Sequence, residues 1–156
     1  MLRLSRQKGL AAVEATIVLP VLLLLMLAIG EFGRVLYEYN TLTKAVRAGV
    51  RTMTSSGNPG AFELTDDIKQ RTKNMIIYGQ EQPAGADPVL TGLDSANISF
   101  SQPYSIPVTS TTDIYVEVHV SYDWQPIFGD SFNTFFGEPI SLSFPLQTSM
   151  TMRVLQ

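Results

Sequence analysis

Hydrophobic residues are concentrated at the start of the chain, in a run that no polar face interrupts. From Leu10 to Gly30 the only ionisable side chain is that of Glu14. At ~1.5 Å per residue, an α-helix over this run is about 31 Å long, close to the hydrocarbon thickness of a bilayer. A helix that is apolar all round is buried in a large core or inserted in a membrane. The stretch VLPVLLLLMLAIG has no face for water and favours the membrane.

Beyond this run the helical pattern continues, now with a single hydrophobic face. Five apolar residues recur at helical spacing, and three basic residues form a stripe on the opposite side: Tyr39, Leu42, Val46, Val50 and Met53 against Lys44, Arg47 and Arg51. The breaker cluster SSGNPG ends the pattern. We therefore expect a rod from Leu10 to about Thr54, on the order of 65 Å long. It would span a membrane over residues 10–33 and be amphipathic over 34–56.

The remainder, residues 57–156, is predicted to be an extracytoplasmic α+β domain. A second helix is expected over Phe62–Tyr78, followed by a strand over 97–101. Strict alternation in DIYVEVHVSYDW predicts a half-buried strand over 114–124. Two more strands are expected over 140–144 and 148–155, with a bend at Pro145 between them. The predicted fold class is α+β: a long N-terminal helix packed on a small antiparallel sheet of three to five strands.

Flanking charges predict the orientation of the span. Arg3, Arg6 and Lys8 precede it within a short basic leader, residues 1–9, and Glu31 follows it. Because basic flanks stay on the cytoplasmic side, we expect a single-pass protein of the inner (cytoplasmic) membrane with its N-terminus in the cytoplasm. A secretory signal peptide has the same polarity, but the exit LAIGEFGRVLYEY continues in helical rhythm beyond this run, which favours a retained helix.

The composition offers little for catalysis or cofactor binding. The net charge of −3 gives no electrostatic case for nucleic acid, and without cysteine there is no disulfide or thiolate metal site. His119, the single histidine, is expected on the polar face of its strand beside Glu117 and Asp123. A hydrolase built on these three residues is the weakest of the functional hypotheses. We therefore predict no enzyme, no catalytic residue, no metal, no cofactor and no small-molecule substrate.

Aromatic residues cluster after the longest predicted strand. There are two interpretations: aromatics folding onto a small core, or a docking surface for a partner subunit, since aromatics are enriched at interface cores. The residues concerned are Trp124, Phe128, Phe132, Phe135 and Phe136.

The N-terminal motif resembles a known family. A basic leader ends in Gly9, Leu10 follows, and Glu14 is the fifth residue after the glycine, as in type IV prepilins that a prepilin peptidase cuts after the glycine. More closely, residues 6–52 resemble the TadE-like family. The matching pieces are Ala-Val-Glu, Leu-Pro, the stretch Gly30–Arg34, and Tyr-Asn-Thr-Leu-Thr with its Ala…Arg-Ala-Gly-Val-Arg continuation.

The resemblance implies a minor pilin or pseudopilin of the tight-adherence (Flp) pilus, acting in pilus biogenesis and adhesion. Its partners would be the lipid bilayer, a prepilin peptidase and other pilin or pseudopilin subunits. Processing would map to Gly9 and Leu10. A carboxylate in lipid costs several kcal/mol, so Glu14 either pairs with a neighbouring subunit's new α-amino group or snorkels to the cytoplasmic interface. The alternative function is a membrane-anchored extracytoplasmic binding module that is neither processed nor polymerised.

Overall fold

The structure is a computed structural model, and it describes residues 4–56, 62–108, 111–127, 129, 131–132 and 138–154. Its elements confirm the α+β class, with a long apolar N-terminal helix and a small antiparallel sheet. A 3₁₀ turn at Ser95–Asn97 precedes the first strand. In chain order the elements are α1 Leu4–Ser55, α2 Asp66–Tyr78, β1 Ile98–Phe100, β2 Tyr104–Val108, β3 Thr111–Asp123, β4 Ser131–Phe132, β5 Ile140–Ser141 and β6 Pro145–Arg153.

Helix α1 is continuous over 52 residues, and it includes Pro20. It ends at Ser55, one residue from the expected end at Thr54. It begins at Leu4, so the leader residues from Leu4 to Gly9 continue the helix instead of preceding it. The turn at Gly57 and Pro59 that the sequence predicts lies outside the described residues.

Helix α2 begins at Asp66, four residues later than the expected start at Phe62. The reason is a cap: the Thr65 side chain accepts a hydrogen bond from the Ile68 N–H and satisfies a donor of the first turn. Asp66 and Asp67 then occupy that turn, where the helix dipole favours acids. At the other end Gly79 adopts φ 70°, a left-handed conformation that glycine reaches without strain.

The sheet is built around β3, which is antiparallel to every strand that pairs with it. One edge of β3 pairs with β6 over the whole of that strand, from Asp123↔Pro145 to Tyr115↔Arg153. The other edge pairs with β1 and then β2. Between Phe100↔Val118 and Tyr104↔Tyr115 the β1–β2 side has one extra residue, as in a β-bulge.

Two strands differ from the sequence prediction. β2 was not predicted; its Pro107 is a residue that sheet interiors avoid, and β2 lies at an edge. The last strand begins at Pro145, three residues before the expected Thr148, because proline is tolerated as the first residue of a strand. The segment expected as a strand over 140–144 contributes only β5, which pairs with β4 in a separate two-stranded sheet.

The hydrophobic core lies between the second half of α1, the helix α2 and one face of the sheet. Of the residues that the alternation predicts to face inward, Ile114 is partly buried and the others are buried: Val116, Val118, Val120, Tyr122 and Trp124. Four of the five inward residues predicted for α1 are also buried. Tyr39 is the exception: the prediction that it faces inward is wrong, since it is 41% exposed. Gly49 lies where α1 and α2 meet, and a Cβ there would clash with the side chain of Ile76.

Candidate assembly site and the helix–sheet junction

The predicted processing residues lie on the exposed N-terminal part of α1. Gly9, Leu10 and Glu14 are helical and exposed, and no contact from the sheet reaches them among the described residues. A Cβ at Gly9 would meet nothing within 4 Å, so packing does not require glycine there. Of the three orientation residues, Arg3 lies outside the described residues, as do the side chains of Arg6 and Lys8.

The apolar run leading from this site is exposed along its length. Within α1 the structure has a helix long and apolar enough to cross a membrane, and none of its most apolar window is buried by the rest of the described chain. Exposed leucines, isoleucines and valines on every side of a helix are unfavourable in water. This segment therefore needs an apolar environment that the described part of the chain does not provide.

Most of the predicted aromatic surface lies outside the described residues: Phe128, Phe135 and Phe136 entirely, and Phe132 in its side chain. Trp124 is described and is only 2% exposed. It packs against Phe144, with ring centroids 5.5 Å apart. In the isolated chain Trp124 thus serves the core, while the role of the patch as an interface stays a prediction.

A cluster of charged groups joins α1 to the sheet domain just after the apolar run. The side chain of Arg34 lies between two carboxylates of its own helix, with Nε 3.6 Å from Glu31 Oε2 and Nη2 3.5 Å from Glu38 Oε1. Arg34 Nη2 also donates to the Gln125 carbonyl oxygen. Glu31 Oε1 in turn accepts a 2.6 Å hydrogen bond from the Ile127 N–H. We call Glu31, Arg34 and Glu38 the junction triad.

Two aromatic side chains of the sheet complete this junction. The Arg34 guanidinium lies 5.5 Å from the centre of the Trp124 ring, within the range of a cation–π contact. The Tyr122 hydroxyl donates to the Thr91 carbonyl oxygen at 2.9 Å and to Glu38 Oε2 at 3.4 Å. Burial, helped by the nearby negative charge of Glu38, raises the pKa of Tyr122 above its ordinary value of 10.0.

The outer face of the sheet carries a serine–histidine–glutamate group that does not have the geometry of a catalytic triad. Ser101 Oγ lies 3.0 Å and Glu117 Oε1 3.5 Å from the same ring nitrogen, His119 Nε2. A working triad places the acid on one ring nitrogen and the nucleophile on the other. Asp123 is at the end of β3, exposed and paired by backbone with Pro145. Among the described residues, no three histidine, aspartate or glutamate side chains are grouped so that they could hold a metal ion.

Comparison with protein families identifies the N-terminal segment. The family model described as TadE-like protein matches residues 9–51, from Gly9 to the last turns of α1. Residues 9–51 of this chain are similar to the TadE-like family. The match confirms the resemblance and implies a component associated with the tight-adherence pilus, a structural role rather than that of a known enzyme family. Searches of curated proteins and of solved structures found no match.

The segment that matches the TadE-like family, residues 9–51, includes all three members of the junction triad. The sequence alone shows Glu31 only as the acid that follows the apolar run. A helical register reveals more, because Glu31, Arg34 and Glu38 lie at spacings of three and four residues and lead directly into Leu42 and the buried face of α1. One face of α1 is charged from Glu31 to Glu38 and apolar from Leu42 onward. This change along the helix was the signal that could have located the junction.

Proposed function

We propose that this protein is a non-enzymatic minor pilin or pseudopilin-like component of a tight-adherence pilus, inserted in the cytoplasmic membrane and cut after Gly9 by a prepilin peptidase. In this proposal α1 is both the membrane anchor and the element through which subunits assemble. The sheet domain lies outside the cytoplasm and contributes to pilus biogenesis and adhesion.

The observation that carries the proposal is the division of α1 into two halves. The half within the TadE-like segment that precedes Glu31 exposes its apolar side chains, whereas the half from Leu42 to Met53 is buried beneath the sheet and α2. A soluble domain gains nothing from the first half. A helix that first lies in the membrane and later packs among the helices of other subunits in the pilus needs an apolar surface in both environments.

Orientation can be tested directly because the chain contains no cysteine. A single Ser5→Cys would report on the leader and a single Ser121→Cys on the exposed outer face of the sheet. In cells that lack the prepilin peptidase, so that residues 1–9 are retained, we expect a membrane-impermeant maleimide added to spheroplasts to label Ser121→Cys and not Ser5→Cys, and to label both after lysis. Labelling of Ser5→Cys in intact spheroplasts would contradict the proposed topology.

Packing does not explain why residue 9 is glycine, and this supports processing at Gly9. Glycine inside a helix costs roughly 0.5–1 kcal/mol relative to alanine. At Gly49 the approach of α2 explains this cost, but at Gly9 no neighbour lies within 4 Å of the Cβ position. Recognition of the backbone by a peptidase explains a glycine at this position.

Glu14 is proposed to pair with the α-amino group of Leu10 in an adjacent subunit. Cleavage would create that amine about one helical turn from Glu14. Since an unpaired carboxylate in lipid costs several kcal/mol, its neutralisation by a neighbour would favour assembly and set the axial register of the subunits.

The matched test uses Glu14→Ala and, as control, Glu81→Ala, which removes an exposed acid outside α1. We expect Glu14→Ala to insert and to be cleaved, yet to enter pilus fractions at least about tenfold less, because ~1.4 kcal/mol already corresponds to tenfold. Normal assembly of Glu14→Ala would contradict this role.

A second candidate function is the unprocessed membrane-anchored binding module. The observation in its favour is that α1 runs from Leu4 through Gly9 and Leu10 without interruption, so that the leader forms one helix with the span. Retention of residues 1–9 in cells with an active peptidase would support this function over the first.

A further inference from the structure

A groove of about 750 Å³ lies between the apolar half of α1 and the sheet domain. One wall is the face of α1 between Pro20 and Val35, and the other wall includes Trp124, Leu142 and Phe144. Of the described residues that line the groove, only Glu31 is charged. Ser131 and Ser141 are the other polar lining residues, and the rest are apolar, which favours an occupant that is mainly apolar.

The position of the groove along α1 matches one leaflet of a membrane. Pro20 lies midway along the apolar run from Leu10 to Gly30. The distance from Pro20 to Gly30 is ~15 Å along the helix axis, which is half of the ~30 Å hydrocarbon core. The groove thus begins near the bilayer centre and ends where the junction triad begins, at the level expected for lipid head groups.

The size of the groove separates two kinds of apolar occupant. An α-helix about 10 Å across, laid along the ~22 Å between Pro20 and Val35, fills roughly 1,700 Å³. That is more than twice the volume of the groove. An extended acyl chain, roughly 4 Å across and 15 Å long, fills on the order of 200 Å³. The groove can admit acyl chains without moving its walls, whereas a second helix cannot enter fully.

We propose that this groove binds the acyl chains of a phospholipid from the extracytoplasmic leaflet. The inference rests on the proposed membrane insertion with the N-terminus in the cytoplasm. The bound lipid fills the space between α1 and the sheet domain, so that the part of the domain that carries Leu142 and Phe144 lies within the extracytoplasmic leaflet. The domain is held there through lipid as well as through the junction triad. Leu142 and Phe144 contact the chains, the Trp124 ring packs directly against Phe144, and the head group lies beyond Glu31.

The chain contains its own reporter for this proposal, because Trp124 is its only tryptophan, lines the groove and is otherwise buried. The full chain is reconstituted in nanodiscs of phosphatidylcholine with bromine atoms in the acyl chains, and tryptophan fluorescence is compared with that in the unbrominated lipid. We expect strong quenching of Trp124. Fluorescence that is unchanged by brominated lipid would overturn the proposal.

A matched pair of variants tests whether the lipid enters through the groove. Ala28→Phe places a ring on the groove wall, and Gly30→Phe places one at similar depth where a Cβ would meet nothing within 4 Å. Because two groups cannot fill one space, Ala28→Phe should lose about half of the quenching. Gly30→Phe should retain it. Equal quenching in the wild type and both variants would overturn the proposal.

Two further outcomes separate this proposal from its alternatives. If Leu142→Cys forms disulfide-linked dimers in high yield in the membrane, a second copy occupies the groove and the lipid proposal is wrong. If alkaline carbonate extracts the full chain from membranes, the proposed membrane insertion itself fails. A chain that resists extraction but shows no quenching of Trp124 refutes the lipid groove and leaves the proposed function intact.

Discussion

Removing the positive charge of Arg34 should weaken the attachment of the sheet domain to α1. In Arg34→Met the two carboxylates of the junction triad lose their shared partner, and the Gln125 carbonyl oxygen loses its donor. The methionine retains much of the apolar length of the arginine side chain, so the change tests charge and hydrogen bonding more than packing.

The magnitude follows from the burial of the three side chains. The exposed fractions are 29% for Arg34, 8% for Glu31 and 15% for Glu38. Breaking a fully buried ion pair costs ~3–5 kcal/mol, and an exposed pair contributes ~0.2–1 kcal/mol. Since Arg34 retains some contact with solvent, we expect Arg34→Met to lower the free energy of unfolding by about 2–3 kcal/mol.

The assay is denaturant unfolding of the full chain in a non-ionic detergent, followed by the fluorescence of Trp124, which lies 5.5 Å from the Arg34 guanidinium. The control is Arg47→Met, an exposed position on the same helix, which should change stability by no more than about 0.5 kcal/mol. Adding Glu31→Gln and Glu38→Gln to Arg34→Met should recover part of the loss, because the unpaired charges are then gone. Equal stabilities for Arg34→Met and Arg47→Met would refute the reasoning.

Two other predictions concern the contacts around α1. Gly49→Ala should lower the melting temperature, because overpacking against Ile76 costs ~1–3 kcal/mol. The control Gly33→Ala, whose Cβ would meet nothing within 4 Å, should leave the melting temperature unchanged or raise it. A fall in melting temperature in Gly33→Ala equal to that in Gly49→Ala would exclude the packing explanation. Tyr122 has a raised pKa when folded, so its contribution to stability is complete below pH ~10 and is lost as the pH rises through the folded pKa. Urea unfolding at successive pH values should show this alkaline loss in the wild type and a smaller one in Tyr122→Phe, and identical profiles would contradict it.

The sequence predicted those elements whose hydrophobic periodicity is compatible with only one type of secondary structure. The alternation from Ile114 to Trp124 located the central strand, and the apolar run with its amphipathic continuation located α1. These patterns repeat over many residues, so an error at one position does not change the interpretation. Boundaries set by a single contact, such as the Thr65 cap, were less predictable.

The junction triad and β2 could not be found from local patterns, for different reasons. The triad becomes a site only when Gln125 and Ile127, more than 80 residues away in the chain, approach α1 and supply the backbone partners of Arg34 and Glu31. β2 is short and contains Pro107, so its pairing depends on the neighbouring β3 and not on its own propensity. Tyr39 was wrongly predicted to face the core, because the inward face of α1 at that level carries the charged junction triad.

The most direct test of the proposed function is the intact mass of the protein extracted from membranes of cells with an active prepilin peptidase. We predict a polypeptide that begins at Leu10. Gly9→Val, which the fold can accept because no neighbour lies within 4 Å of the Cβ position, should retain the leader. A wild-type mass that still includes residues 1–9 under the same conditions would contradict the account and support the unprocessed anchor.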